Sequence, residues 1–142
     1  MGSNGPEAMD AVATFQALID RYLAAYEAHD AAGCAALYAT DGEVYSPFGA
    51  PAHGPAEIEA EHRRWFEDGE TNKTMAVTRA GIDGNLGYCL VWFEADVPGQ
   101  DGGTERFRGT SLNVMERRSD GVWTIKLTSL NEVQEPGTES DT

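Results

Sequence analysis

A chain of 142 residues, 41% hydrophobic and 24% charged, is long enough to bury one globular core without disulfide or metal staples. Asp and Glu outnumber Lys and Arg by 24 to 10, and the resulting net charge of −14 repels phosphate backbones and anionic headgroups, which argues against nucleic acid and membrane surfaces as partners. No apolar run approaches the ~20 residues of a membrane span, and no charged-then-apolar signal opens the sequence. Cys34 and Cys89 lie among apolar neighbours with no CxxC or Cys/His spacing, so a reducing, cytoplasmic location is expected.

Residues 1–8 and 134–142 are rich in Gly, Pro, Ser, Thr and Glu, and are expected to be mobile ends of a single domain over 9–133. From Met9 to Ala28 the residues Phe15, Leu18, Ile19, Tyr22, Leu23 and Tyr26 recur at steps of three and four, which predicts a helix with one buried stripe. Asp30 is placed to cap a short second helix carrying Cys34, Leu37 and Tyr38, with His29 in the corner between the two. "TDGEV" reads as a turn into a strand that Pro47 and Pro51 end, since neither can donate a ladder hydrogen bond. A third helix follows, with Pro55 in its first turn, Ile58, His62, Trp65 and Phe66 on its apolar face, and Gly69 as its stop.

After Asn72, β-branched and aromatic runs are punctuated by "DGN", "PGQDGG" and "SDG". They predict four strands, near Thr74–Ile82, Leu86–Asp96, Thr104–Glu116 and Val122–Val133, joined as an antiparallel meander. Helices followed by strands without strict alternation point to an α+β layer. In "LGYCLVWFEAD" both alternating sets are apolar: Tyr88, Leu90 and Trp92 on one face, Cys89, Val91 and Phe93 on the other. A sheet covered on one side by helices should be polar on its other side, so either a loop or terminal segment covers the outer sheet face or, the preferred reading, a homodimer forms through it.

This order of elements resembles the nuclear-transport-factor-2-like superfamily. "RYLAAYEAHDAAGCAALYATDGEVYSPFGAPAHGPAEI", Arg21 to Ile58, is similar to the start of its ketosteroid isomerase and SnoaL-like polyketide cyclase branch. The resemblance implies an α+β cone, a curved antiparallel sheet wrapped by about three helices around a mostly apolar pocket. It also implies a first-helix tyrosine that donates to a substrate oxyanion, matched by Tyr22, and an aspartate before Pro-x-Gly that moves the proton. Ser46 stands in that aspartate's place, and a serine hydroxyl is no base near neutral pH without a neighbouring one. The branch's second oxyanion donor is a protonated aspartate; Asn113 falls nearest it counting back from "GVW", with Ser111 two residues away on the same face.

Among titratable groups, His62 is the candidate proton carrier, since its ordinary pKa of ~6.5 suits acid–base work. Tyr26, Ser46, Phe48, Trp65, Cys89, Val91, Phe93 and Ser111 are the candidate pocket residues, an apolar wall with a few polar groups. His29 and His53 read as surface residues, and Arg106 and Arg108 as solvated charges or, alternatively, rim cations for an anionic ligand. The three histidines show no metal-ligand spacing and the glycines no nucleotide fingerprint, so no metal and no cofactor are expected. Two functions stand open at this point. One is an isomerase- or cyclase/lyase-like enzyme acting on an apolar, carbonyl-bearing metabolite that Tyr22 and Asn113 polarise. The other is a non-catalytic ligand-binding or dimerisation module of the same fold.

Overall fold

The computed structural model describes residues 6–133. The expected mobile ends, apart from Pro6 to Ala8, which join the first helix, lie outside the described residues. In chain order the elements are α1 (Pro6–Glu27), α2 (Ala31–Ala35), β1 (Tyr38–Tyr45), β2 (Ala52–His53), α3 (Gly54–Glu67), β3 (Thr71–Asp83), β4 (Leu86–Pro98), β5 (Thr104–Arg117) and β6 (Trp123–Glu132). One six-stranded sheet in the order β2-β1-β6-β5-β4-β3 curls without closing, and the three helices complete an α+β, cone-like fold. Among the described residues no helix is long and apolar enough to cross a membrane.

The predicted stripe on α1 is the centre of the core. Phe15, Leu18, Ile19, Tyr22 and Tyr26 are buried, Leu23 is half-buried, and Gln16 ties the helix to β3 by accepting the Val77 N–H at 2.7 Å. The helix ends as His29 turns left-handed at φ 55° and the Asp30 N–H reaches back to Ala25 O at 2.9 Å, satisfying a carbonyl the helix leaves open. The His29 ring stacks on Phe66, 4.7 Å between centroids, so this corner residue fastens α1 to α3. Asp30 caps α2 as expected, accepting from Gly33 N at 2.9 Å.

Two local expectations are corrected. Tyr38 is not on the short helix: α2 stops at Ala35, Leu37 O accepts from Ile125 N, and Tyr38 pairs with Ile125 in a parallel β1–β6 ladder. Sheet hydrogen bonds over a chain-distant partner win there, a contact that local periodicity cannot register. "TDGEV" is not a turn before the strand but an irregularity inside β1, where the register passes from Tyr38↔Ile125 to Glu43↔Leu127.

The meander matches its predicted order, and β3–β4, β4–β5 and β5–β6 are all antiparallel. On β4 the alternation separates cleanly: Cys89, Val91, Phe93 and Ala95 face inward and are buried, while Tyr88 is 45% exposed and its outer-face neighbour Leu112 on β5 44%. The apolar outer face is therefore uncovered by this chain's own described elements.

Candidate functional site

Between α1, α3 and the inner sheet face lies a cavity of about 190 Å³. The helix stripe supplies Ile19, Tyr22 and Tyr26, α3 supplies Trp65, the turn after β1 supplies Phe48, and alternate inward positions of the meander supply Met75, Phe93, Phe107, Ser111, Asn113, Ile125 and Thr128. Of the residues singled out from sequence, Tyr22, Tyr26, Phe48, Trp65, Phe93, Ser111 and Asn113 are thus brought to one cavity.

The others are placed elsewhere. Ser46 is not on the lining; its Oγ accepts the Phe48 N–H at 3.0 Å, so the hydroxyl is used in its own turn. Cys89 and Val91 are fully buried behind the lining, packed in the core. Burial pushes the thiols of Cys34 and Cys89 up to about 12, which leaves both as inert apolar groups. Arg106 is paired with Glu94 at 3.2 Å and Asp96 at 3.0 Å, and Arg108 lies 3.9 Å from Glu94, none of these on the lining.

His62 is wholly buried and off the lining, and among the described residues Tyr22 is the lining side chain it hydrogen-bonds. Its Nδ1 lies 2.8 Å from Ile58 O and its Nε2 2.6 Å from Tyr22 Oη. A carbonyl only accepts, so Nδ1 carries the proton; neutral imidazole then has a lone pair at Nε2, and the Tyr22 O–H donates to it. Burial lowers the His62 pKa from 6.5 to about 4, assisted by the nearby Lys73 charge and opposed by the bond to Ile58. Burial also holds the Tyr22 phenol well above its ordinary value, with Tyr38 adding to the effect. The neutral pair with its proton on Tyr22 is the resting state at neutral pH. Tyr22 accordingly presents lone pairs, not a free proton, to the cavity.

A second polar chain crosses the sheet. Asn113 Nδ2 donates to Ser111 O at 3.3 Å and to Ser111 Oγ at 3.1 Å, which orients the amide so that Oδ1 accepts from Thr128 Oγ1 at 2.7 Å. Thr128, its one proton committed, accepts from the Tyr38 O–H at 2.8 Å. Following the donors along, Tyr38 gives to Thr128, Thr128 to Asn113, and Asn113 to Ser111. Both amide hydrogens of Asn113 are occupied. The Ser111 hydroxyl proton, at the end of the chain, has no acceptor among the described residues. Trp65 Nε1 is likewise buried without a partner, so two lining residues, Ser111 and Trp65, each carry a neutral donor with no acceptor among the described residues.

The sequence reading missed Asp68, Glu70 and Lys73, which also line the cavity. Glu70 Oε1 accepts from both the Tyr26 O–H and Lys73 Nζ, the latter at 3.2 Å. "EDGETNK" looks like a solvated turn. The available signal was parity: Lys73, Met75 and Val77 alternate on one face of β3, so a lysine shares the inward register of two apolar residues.

A family model described as SnoaL-like domain matches residues 19–124. No curated protein matches the sequence. Among solved structures, similarity is found to a ketosteroid isomerase-like protein from Erwinia carotovora atroseptica, at a TM-score of 0.76 and 16% identity, covering 87% of this chain and 97% of that one. A cystatin-like domain of unknown function from Nostoc punctiforme gives a TM-score of 0.76 at 20% identity, covering 91% and 81%. A putative calcium/calmodulin-dependent protein kinase type II association domain from Thiobacillus denitrificans gives 0.70 at 22% identity, covering 85% and 96%. At these identities the likeness is one of fold alone.

Proposed function

The chain belongs to the SnoaL-like domain family, and from that premise we propose that it binds a small apolar carbonyl compound in the cavity and shifts a proton on it, an isomerase- or cyclase-type activity. One observation carries this reading: an apolar wall that contains two uncommitted neutral donors, Ser111 Oγ–H and Trp65 Nε1–H, together with a lining hydroxyl, Tyr22, that keeps its own proton and donates it in a hydrogen bond to a buried neutral imidazole.

In this scheme Ser111 donates to the ligand carbonyl, the role first expected of Asn113. Asn113 becomes a positioning residue that holds the Ser111 oxygen. Charge developing on the carbonyl oxygen strengthens that bond. Tyr22 Oη takes the proton from the carbon next to the carbonyl as its own proton passes to His62 Nε2, so His62 acts as base through Tyr22 rather than by contact with the ligand. Ser46 has no part in the transfer.

The bicyclic ketone 2-tetralone tests the binding step. At 100 times its dissociation constant it should stabilise the protein by ~2.7 kcal/mol in a thermal melt. Ser111→Ala, which removes one hydrogen bond of ~1 kcal/mol, should weaken the affinity roughly fivefold. A melt unmoved by this ketone and by a panel of ring ketones rejects the proposal.

The second reading, a binding module without chemistry, is favoured by one specific fact, the low basicity of His62. It predicts the melting shift without proton exchange on the ligand. Either way, we propose a homodimer through the outer sheet face, supported by the exposed Leu86, Tyr88 and Leu112. Sedimentation as a dimer that Leu112→Glu converts to single copies is expected; single copies for the parent chain reject it.

A further inference from the structure

The cavity holds a nucleophile that the scheme above does not use. Lys73 Nζ lies 4.5 Å from the ring centroid of Tyr26 and 4.6 Å from that of Phe93, so aromatic faces flank it, and Glu70 Oε1 is its one hydrogen-bond acceptor among the described residues. Its side chain is 10% exposed. The chain has two lysines, and the other, Lys126, sits outside the cavity paired with Asp41 at 2.6 Å.

From this arrangement we propose that Lys73 captures the carbonyl ligand covalently as an imine, with Glu70 as its proton carrier. The inference rests on the carbonyl-ligand reading of the same cavity and makes aldehydes and unhindered ketones with apolar bodies the substrate class. Glu70 takes a proton from the Lys73 ammonium, and the free amine attacks the carbonyl carbon. The C–N bond forms as the C=O π pair moves to oxygen, which takes the proton from Glu70. The nitrogen then returns a proton to Glu70, and Glu70 delivers it to the departing hydroxyl. The C–O bond breaks, water leaves, and C=N remains. One amine and one carbonyl give one imine and one water, with no redox change.

Two further features fit. Burial lowers the Lys73 pKa against the opposing pull of Glu70, whereas pairing with Asp41 raises that of Lys126, so the free-amine fraction at neutral pH is greater in the cavity. A protonated imine also withdraws electrons from the adjacent carbon more strongly than a hydrogen-bonded carbonyl does. A base as weak as His62 then suffices to take its proton, and Tyr26 links the two sites, its ring 5.8 Å from that of Tyr22 and its hydroxyl on Glu70.

The test is reductive trapping of the full chain at pH 7 with 2-naphthaldehyde and cyanoborohydride, read by peptide mass. Lys73 should be labelled at least ~10-fold faster than Lys126 and be protected by excess 2-naphthalenemethanol, which has the ring but no carbonyl. Glu70→Gln should slow the labelling ~10-fold, and Lys73→Arg should abolish the preference while preserving the melt. Labelling of Lys126 at an equal or greater rate overturns the proposal. If 2-naphthalenemethanol raises the melting temperature while Lys73 stays unlabelled, the covalent step falls and the cavity reading stands. If it neither binds nor protects and no Lys73 label forms, both fall.

Discussion

Replacing Tyr22 with Phe should slow deuterium exchange at the carbon next to the carbonyl of 2-tetralone by ~100-fold or more, while the apolar wall that holds the ketone is kept. The expectation follows from the geometry of the pair. Removing Oη takes away the one atom through which wholly buried His62 can act on anything in the cavity, and a positioned acid–base group contributes typically ~10²–10⁴-fold. The same substitution leaves His62 Nε2 without a donor, which costs about 1–3 kcal/mol of stability. Melting curves recorded alongside separate that cost from the catalytic one. His62→Gln should slow exchange similarly, although the phenol survives, because an amide oxygen can accept the phenol's hydrogen bond but is too weak a base to take its proton. Proton NMR in D2O reads both variants; exchange undiminished in either removes the relay.

The second large effect is on stability. Lowering the pH from 7 to 4 should cost about 3 kcal/mol through His62 alone, or roughly 10 °C in melting temperature. Imidazole takes up a proton near 6.5 in the unfolded chain but only near 4 when folded. Between these values the unfolded state binds more protons, so stability rises with pH; the contribution is complete above about 6.5 and lost on descending toward 4. Asp41, Glu94, Asp96 and Asp120 are held below their ordinary values by hydrogen bonds and cationic partners, so their contributions disappear at lower pH, outside most of this window. The difference between parent and His62→Gln melts across the range isolates the histidine. Parallel curves contradict the buried, neutral imidazole.

The fold was legible where period and burial coincide. The α1 stripe, the Asp30 cap, Pro55 and Gly69 at the ends of α3 and the strands of the meander all depend on near neighbours, and each is found close to its expected place. The parallel pairing of β1 with β6 was not legible, because Tyr38 and Ile125 are far apart in sequence and no local pattern records their register. At the site, some of the residues singled out by type lie on one cavity and others, Ser46, Cys89 and Val91, do not, and hydrogen-bond direction did not follow from residue type. Whether Asn113 or Ser111 holds the free proton depends on Thr128, one strand away. Whether Tyr22 donates to a ligand or to a histidine depends on α3 carrying His62 within 2.6 Å. Glu70 and Lys73 were hidden by their polar surroundings in the chain; Lys73 is brought inward by strand parity, and Glu70, just before β3, joins it through their ion pair.

The direction of the proton between Tyr22 and His62 decides whether the relay exists, and nitrogen-15 NMR of the histidine side chains reports it directly. The result expected at pH 7 is a His62 ring protonated at Nδ1, with an unprotonated, hydrogen-bonded Nε2 that stays so down to about pH 5. A ring protonated at Nε2, or one that titrates near 6.5, would contradict it.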